Sequence, residues 1–256
     1  TYYCQVDAHL KFARMWDELY VTDVKLTSNY PKSILSAYPP GFVNFRQEPP
    51  YTPSNRLCRC GFSKSEGNIV RIEMEGRTKA NITRPTQMPF TGAGFFFAPA
   101  GLLKDVKFDP FLPWGFMGEE VAFSIRAWTS GWDIYAPRLN LIGHHYRPLN
   151  LGLPHYWDTV DEIFHTHGMN DCLEATTLNR IKRLLGYPDR LLRKIPRQGK
   201  RINTELGEEF YNESFKIEQY GLGNLRTRED YLSFAEIDYK TETCGPLKWC
   251  SNGDLD

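Results

Sequence analysis

Nowhere does the 256-residue chain hold the roughly 18 to 20 consecutive apolar residues that a membrane-spanning helix needs. Its longest apolar run, Phe90 to Leu103, is broken by Gly92, Gly94, Pro99 and Gly101, so it reads as strand and turn. Neither sign of charge is in excess, because 31 Lys and Arg offset 31 Asp and Glu. No global field therefore draws nucleic acid or an anionic membrane surface. Internal repeats, low-complexity tracts and a signal peptide are missing as well. The chain opens at Thr1 directly into the strand-like Tyr2–Val6, as a piece of a longer protein would. Cysteines are few and follow no repeating framework: Cys4, Cys58, Cys60, Cys172, Cys244 and Cys250. Cys58-Arg59-Cys60 lacks the two-residue gap of a zinc knuckle. Mostly reduced thiols, and with them a cytoplasmic location, are the expectation, a Cys244–Cys250 loop being the one disulfide worth weighing.

What is present alternates between strand and helix signals. Tyr2–Val6, Ser33 to Ala37, Ile69 to Glu75, Phe90 to Ala98, Asp133 to Ala136 and Leu139 to Gly143 have β character. Phe12, Trp16, Leu19 and Tyr20 recur at helical spacing, which predicts a helix over Leu10 to Tyr20. From Gly118 the face Val121, Ile125, Trp128 predicts a helix that stops at Gly131. Proline crowds Tyr38 to Pro53, predicting an irregular loop. After about Pro148 the texture turns helical, Asp171 to Leu185 most clearly, and the run Arg190 to Arg201 is basic. The expected class is α/β, with a site-bearing part over 1–150 and a mainly helical extension over 151–256 packed on the same domain.

Three short clusters carry chemistry. Asp7-Ala8-His9 follows a strand, where residues two apart share a face. One carboxylate and one imidazole so placed can hold a divalent ion that also accepts phosphate oxygens. Gly143-His144-His145-Tyr146-Arg147 closes a second strand and offers a remote third ligand. Glu119 and Glu120 open the predicted helix, where they either complement its dipole or accept hydrogen bonds from a ligand. Trp114, Tyr135 and Trp157 could wall a groove or simply fill the core.

The order of these pieces resembles known families. Gly92-Ala93-Gly94, Gly118-Glu119-Glu120, Arg126-Ala127-Trp128 and Gly143-His144 follow one another as in the acceptor half of GT-A glycosyltransferases, and are similar to polypeptide N-acetylgalactosaminyltransferases. Gln5, Asp7, His9, Phe12, Trp16 and Asp17, together with Arg180-Ile181, Leu184-Leu185-Gly186 and Tyr220-Gly221-Leu222-Gly223, resemble more closely the Skp1 hydroxyproline N-acetylglucosaminyltransferase family. Two departures stand out. The nucleotide-binding βαβ units that precede the D-x-H strand in the family have no counterpart in this sequence. Phe116 stands where the N-acetylgalactosaminyltransferases usually have Trp.

The resemblance implies a GT-A-like, Rossmann-related mixed sheet flanked by helices, its N-terminal nucleotide-binding part truncated. It implies transfer of a sugar, GlcNAc above others, from a UDP-sugar to a hydroxyl of a protein or glycan, with retention. Mn2+ would be held by Asp7, His9 and His144, with His145 as the fallback. Asp7, His9, Ala93, Gly94 and Arg147 would contact the donor, glycine letting the sugar approach closely. Glu119 and Glu120 would hold sugar hydroxyls and orient the acceptor. A metal-dependent hydrolase, using His155, His165 or His167 as base, and a non-catalytic carbohydrate-binding module are the alternatives.

Overall fold

The computed structural model describes residues 1–64, 67–75, 82–112, 115–146, 170–187 and 217–252, with Thr159 and Glu162 besides. Trp114, Arg147, Trp157, His155, His165, His167 and the basic run 190–201 lie outside these residues.

Five strands form the central sheet. They are β1 (Tyr2–Val6), β3 (Ser33–Ser36), β6 (Thr86–Met88), β7 (Phe95–Pro99) and β8 (Asp133–Ala136), in the order β1-β7-β3-β8-β6. Only β3 and β8 run parallel, so the sheet is mixed. Both of its faces are covered. Phe96, Ala98, Ile34 and Ile134 point into one apolar cluster, while Phe95, Phe97, Leu35 and Tyr135 point into another. The period-two alternation of a strand therefore sorts Phe95 to Ala98 between two cores. That explains why Phe95 to Ala98 are apolar at every position. Helix α1 (Trp16–Lys25) covers one face, packing Tyr20 and Val24 against Phe95 and Leu35. Helix α3 (Glu119–Thr129) covers the other, with α4 (Asn170–Leu185) packed against α3; the short α2 (Leu102–Asp105) follows β7. The α/β expectation of a mixed sheet flanked by helices holds.

Two local readings change. Leu10 to Tyr20 is not one helix: β2 (Leu10–Phe12) pairs antiparallel with β9 (Ile142–His144), and α1 starts only after Met15, whose φ is 58°. The apolar spacing is real, but its first part packs as a ladder. Tyr135 is a core residue, 3% exposed, with its hydroxyl on Ser28 Oγ, and walls no groove.

The thiol expectation is overturned. Strands β4 (Arg59–Ser63) and β5 (Ile69–Glu73) form a hairpin bonded to the end of the chain by two disulfides, Cys58–Cys250 and Cys60–Cys244. Their partners are 192 and 184 residues apart, so sequence spacing gave no hint of them. Neither joins Cys244 to Cys250. The cytoplasmic expectation rests on reduced thiols, and the two bonds remove that ground. Cys4 keeps a free thiol, pushed up to about 11 by burial.

The last described stretch holds α5 (Ile217–Tyr220), α6 (Arg228–Phe234), the β10–β11 pair (Ile237–Asp238, Thr243–Cys244) and α7 (Lys248–Asn252). A capping box of Thr227 and Asp230 opens α6. Tyr231, Ile237, Leu247 and Cys250 join the same core as Ile34 and Phe96. The stretch is thus part of the main body. Among the described residues no helix is long and apolar enough to cross a membrane.

Candidate functional site

A cavity of about 950 Å3 opens where β1, the turn before β7, the start of α3 and the hairpin strand β5 meet. Asp7, Tyr38, Ala93, Gly94, Glu119, Glu120 and Arg71 are on its wall.

At one end stands Asp7, just past β1. Its amide donates to Gly94 O at 3.2 Å, and its carboxylate occupies the space a side chain at Gly94 would need: an added Cβ would lie 2.9 Å from Asp7 Oδ2. The glycine thus makes room for a carboxylate of this chain while it also lines the cavity. The β2–β9 ladder sets Leu10 opposite His144 and brings that imidazole to the same corner, Nε2 being 3.9 Å from Asp7 Oδ2. Donors held at about 2.1 Å from one cation can be no more than about 4.2 Å apart, so a single ion can touch both. Burial lowers the His144 pKa, with the Asp7 charge pulling the other way. A neutral imidazole is the form that ligates metal.

His145 turns elsewhere, stacking on Phe42 with ring centres 5.2 Å apart. His9 is not on the strand that alternation presumed: β1 ends at Val6, and His9 sits in left-handed backbone with φ 59°. Its carbonyl accepts from the His145 amide at 3.0 Å, fixing its main chain beside the corner while its side chain stays exposed. Asp7 and His144 therefore meet, and His9 stands next to them without completing a cluster. Among the described residues no three His, Cys, Asp or Glu side chains form a ready-made metal cage.

Gly118 caps α3, and its first turn presents Glu119 and Glu120 to the same cavity. The two differ sharply. Glu120 is fully engaged: Oε2 accepts from Tyr38 Oη at 2.6 Å and Oε1 from the Ala93 amide at 2.7 Å. Burial raises its pKa, while those two bonds and the Arg71 charge favour the ionised form. Glu119 has a buried Oε2 with no hydrogen-bond partner among the described residues. Burial, then repulsion from Glu120, pushes its carboxyl up to about 8. Glu119 is thus the carboxyl with unspent hydrogen-bonding capacity, and Glu120 a brace. Gln5 Nε2 donates to Ala93 O at 3.1 Å, so the turn is held from both sides.

Tyr38 escaped the sequence reading. A lone tyrosine before two prolines carries no signal, and only its contact with Glu120, 82 residues on, reveals it. Arg71 was likewise hidden inside an ordinary strand.

The family model described as Glycosyltransferase (GlcNAc) matches residues 1–241. No curated protein matches the chain. Among solved structures, the crystal structure of GalNAc-T7 with UDP, GalNAc and Mn2+ is similar, at 12% identity and a TM-score of 0.44, over 96% of this chain and 42% of that one. The chain therefore spans less than half the length of that structure.

Proposed function

The chain belongs to the glycosyltransferase (GlcNAc) family, and on that premise we propose that the protein moves a sugar, GlcNAc, from a UDP-sugar to a hydroxyl of a protein or glycan, with retention and with the help of a divalent cation. The observation that carries this is the convergence of Asp7 and His144, 137 positions apart, at 3.9 Å, with Asp7 lining the same cavity as Glu119.

Asp7 and His144 are the residues that would hold Mn2+, with His9 adjoining. A cation bound there supplies countercharge for the diphosphate leaving group. Glu119, which lines the cavity and has an unpartnered carboxyl oxygen, would turn to meet sugar hydroxyls, in a buried setting where such bonds are strong. The Ala93–Gly94 turn, braced by Glu120 and Gln5, gives the sugar a fixed floor. None of these residues needs to act as nucleophile, which suits a reaction in which the donor's own phosphate oxygen takes the acceptor proton. The site residues come from the first 150 positions, and among the described later residues Leu178, Ile181, Tyr231 and Leu247 join the core of the sheet. Two disulfides support an oxidising compartment over the cytoplasm.

Calorimetry with UDP and Mn2+ on the full-length protein tests the proposal. UDP binding that needs the metal and is lost in Asp7→Ala and in His144→Ala is expected. Sugar binding without metal would point to a carbohydrate-binding module, and release of phosphate from an ester to a hydrolase; either outcome sinks the transferase.

A further inference from the structure

Tyr38 begins a segment that runs from the Glu120 carboxylate to the His144 corner. Its hydroxyl donates to Glu120 Oε2 at 2.6 Å, and its ring lies over Gly92, where an added Cβ would come within 2.7 Å of Cε1. The next carbonyls reach the opposite corner. Pro39 O accepts from Tyr146 Oη at 2.7 Å, and the Tyr146 ring meets the His144 imidazole edge-on, 4.1 Å between centres. Pro40 O accepts from the His144 amide at 3.0 Å, and Gly41 bridges to His144 in parallel. Phe42 stacks on His145, under Lys11 Nζ at 4.6 Å from the ring centre. Residues 38–42 thus form one strap, bonded by a side chain at the Glu120 end and by main chain at the His144 end.

We propose that Tyr38 is a positioning residue for the transfer reaction, acting through Glu120 to hold the Ala93–Gly94 turn in register with the His144 corner. This rests on the transferase reading. The charge-assisted Tyr38–Glu120 bond fixes the carboxylate so that its other oxygen meets the Ala93 amide. Without the hydroxyl, Glu120 can swing, and the floor under the sugar loses one of its two braces. The His144 end does not depend on that hydroxyl, because carbonyls 39 and 40 hold it.

The two ends therefore separate in Tyr38→Phe, which keeps the ring over Gly92. With the full-length protein, kcat is expected to fall about 10- to 100-fold, the loss of one bond to a charged group. Metal-dependent UDP affinity should stay within about twofold, as the His144 corner is unaltered. Glu120→Gln should lower kcat similarly, and the double variant should be scarcely worse than either single one. A second readout needs no turnover: hydrogen exchange over 92–94 should quicken about tenfold in Tyr38→Phe, with 142–146 unchanged. Unchanged exchange at 92–94, or a kcat within about twofold of wild type, overturns the strap. Should exchange quicken while the wild-type protein transfers nothing from any UDP-sugar, the strap stands and the transferase reading falls.

Discussion

The two disulfides are nested, and nesting makes their contributions unequal to the sum of their parts. Either bond alone closes a loop of 192 or 184 residues. In the chain-entropy picture, closing a loop of that size stabilises the fold by about 5 kcal/mol. Once one bond exists, the other closes only the ring made of residues 58–60 and 244–250, about ten residues, which is worth about 2.7 kcal/mol. Removing one bond by Cys58→Ala/Cys250→Ala, or by Cys60→Ala/Cys244→Ala, should therefore cost about 2.7 kcal/mol plus lost packing. Removing both should cost about 8 kcal/mol, within the range of a whole domain's stability. The packing contribution appears once per bond in either route, so it cancels in the cycle and leaves an excess of about 2.6 kcal/mol. Urea unfolding of the wild type, both paired variants and the quadruple variant under oxidising conditions measures it. A quadruple loss equal to the sum of the two paired losses would refute the nested-loop reasoning.

Three further outcomes follow from the site. Glu119 has a folded pKa of about 8 against the ordinary glutamate value of 4.5, so the folded state holds its proton more tightly. Its contribution is fully present below the lower value and is lost as pH rises towards the upper one, and Glu119→Gln should be more stable than wild type at pH 8 by about 2–5 kcal/mol in thermal unfolding. Gly94→Ala drives a methyl to within 2.9 Å of Asp7 Oδ2, and should weaken metal-dependent UDP binding about tenfold in calorimetry while the fold survives. His9→Gly relieves left-handed backbone at φ 59°; stability should hold or rise by up to about 1 kcal/mol while transfer activity drops, and a stability loss beyond 1 kcal/mol would show the side chain to be structural.

Much of the sheet was legible because its strands are short, apolar and bounded by turn residues. Tyr2–Val6 and Asp133–Ala136 fall as expected, and Ser33–Ser36 ends one residue early. Helix α3 was legible from Val121, Ile125 and Trp128 and from its glycine stop. Spacing failed where tertiary pairing decides, as at Leu10–Phe12, which is drawn into a ladder by β9. The choice between His144 and His145 also depends on that ladder's register, since consecutive residues face opposite ways. Cysteine partners nearly 200 residues apart, and a tyrosine that matters through one hydrogen bond, leave no local trace.

Where the chain is cut has chemical consequences at the hairpin. The family match closes at residue 241, short of Cys244, Leu247 and Cys250. A protein trimmed to that boundary would carry Cys58 and Cys60 as two widowed thiols, separated by Arg59 alone, beside an apolar hollow once filled by Leu247. Such a pair invites scrambling with Cys4 or cross-linking between molecules during oxidative refolding. Non-reducing gel mobility of the trimmed and untrimmed proteins would show it, as a dimer ladder in the first and a single band in the second.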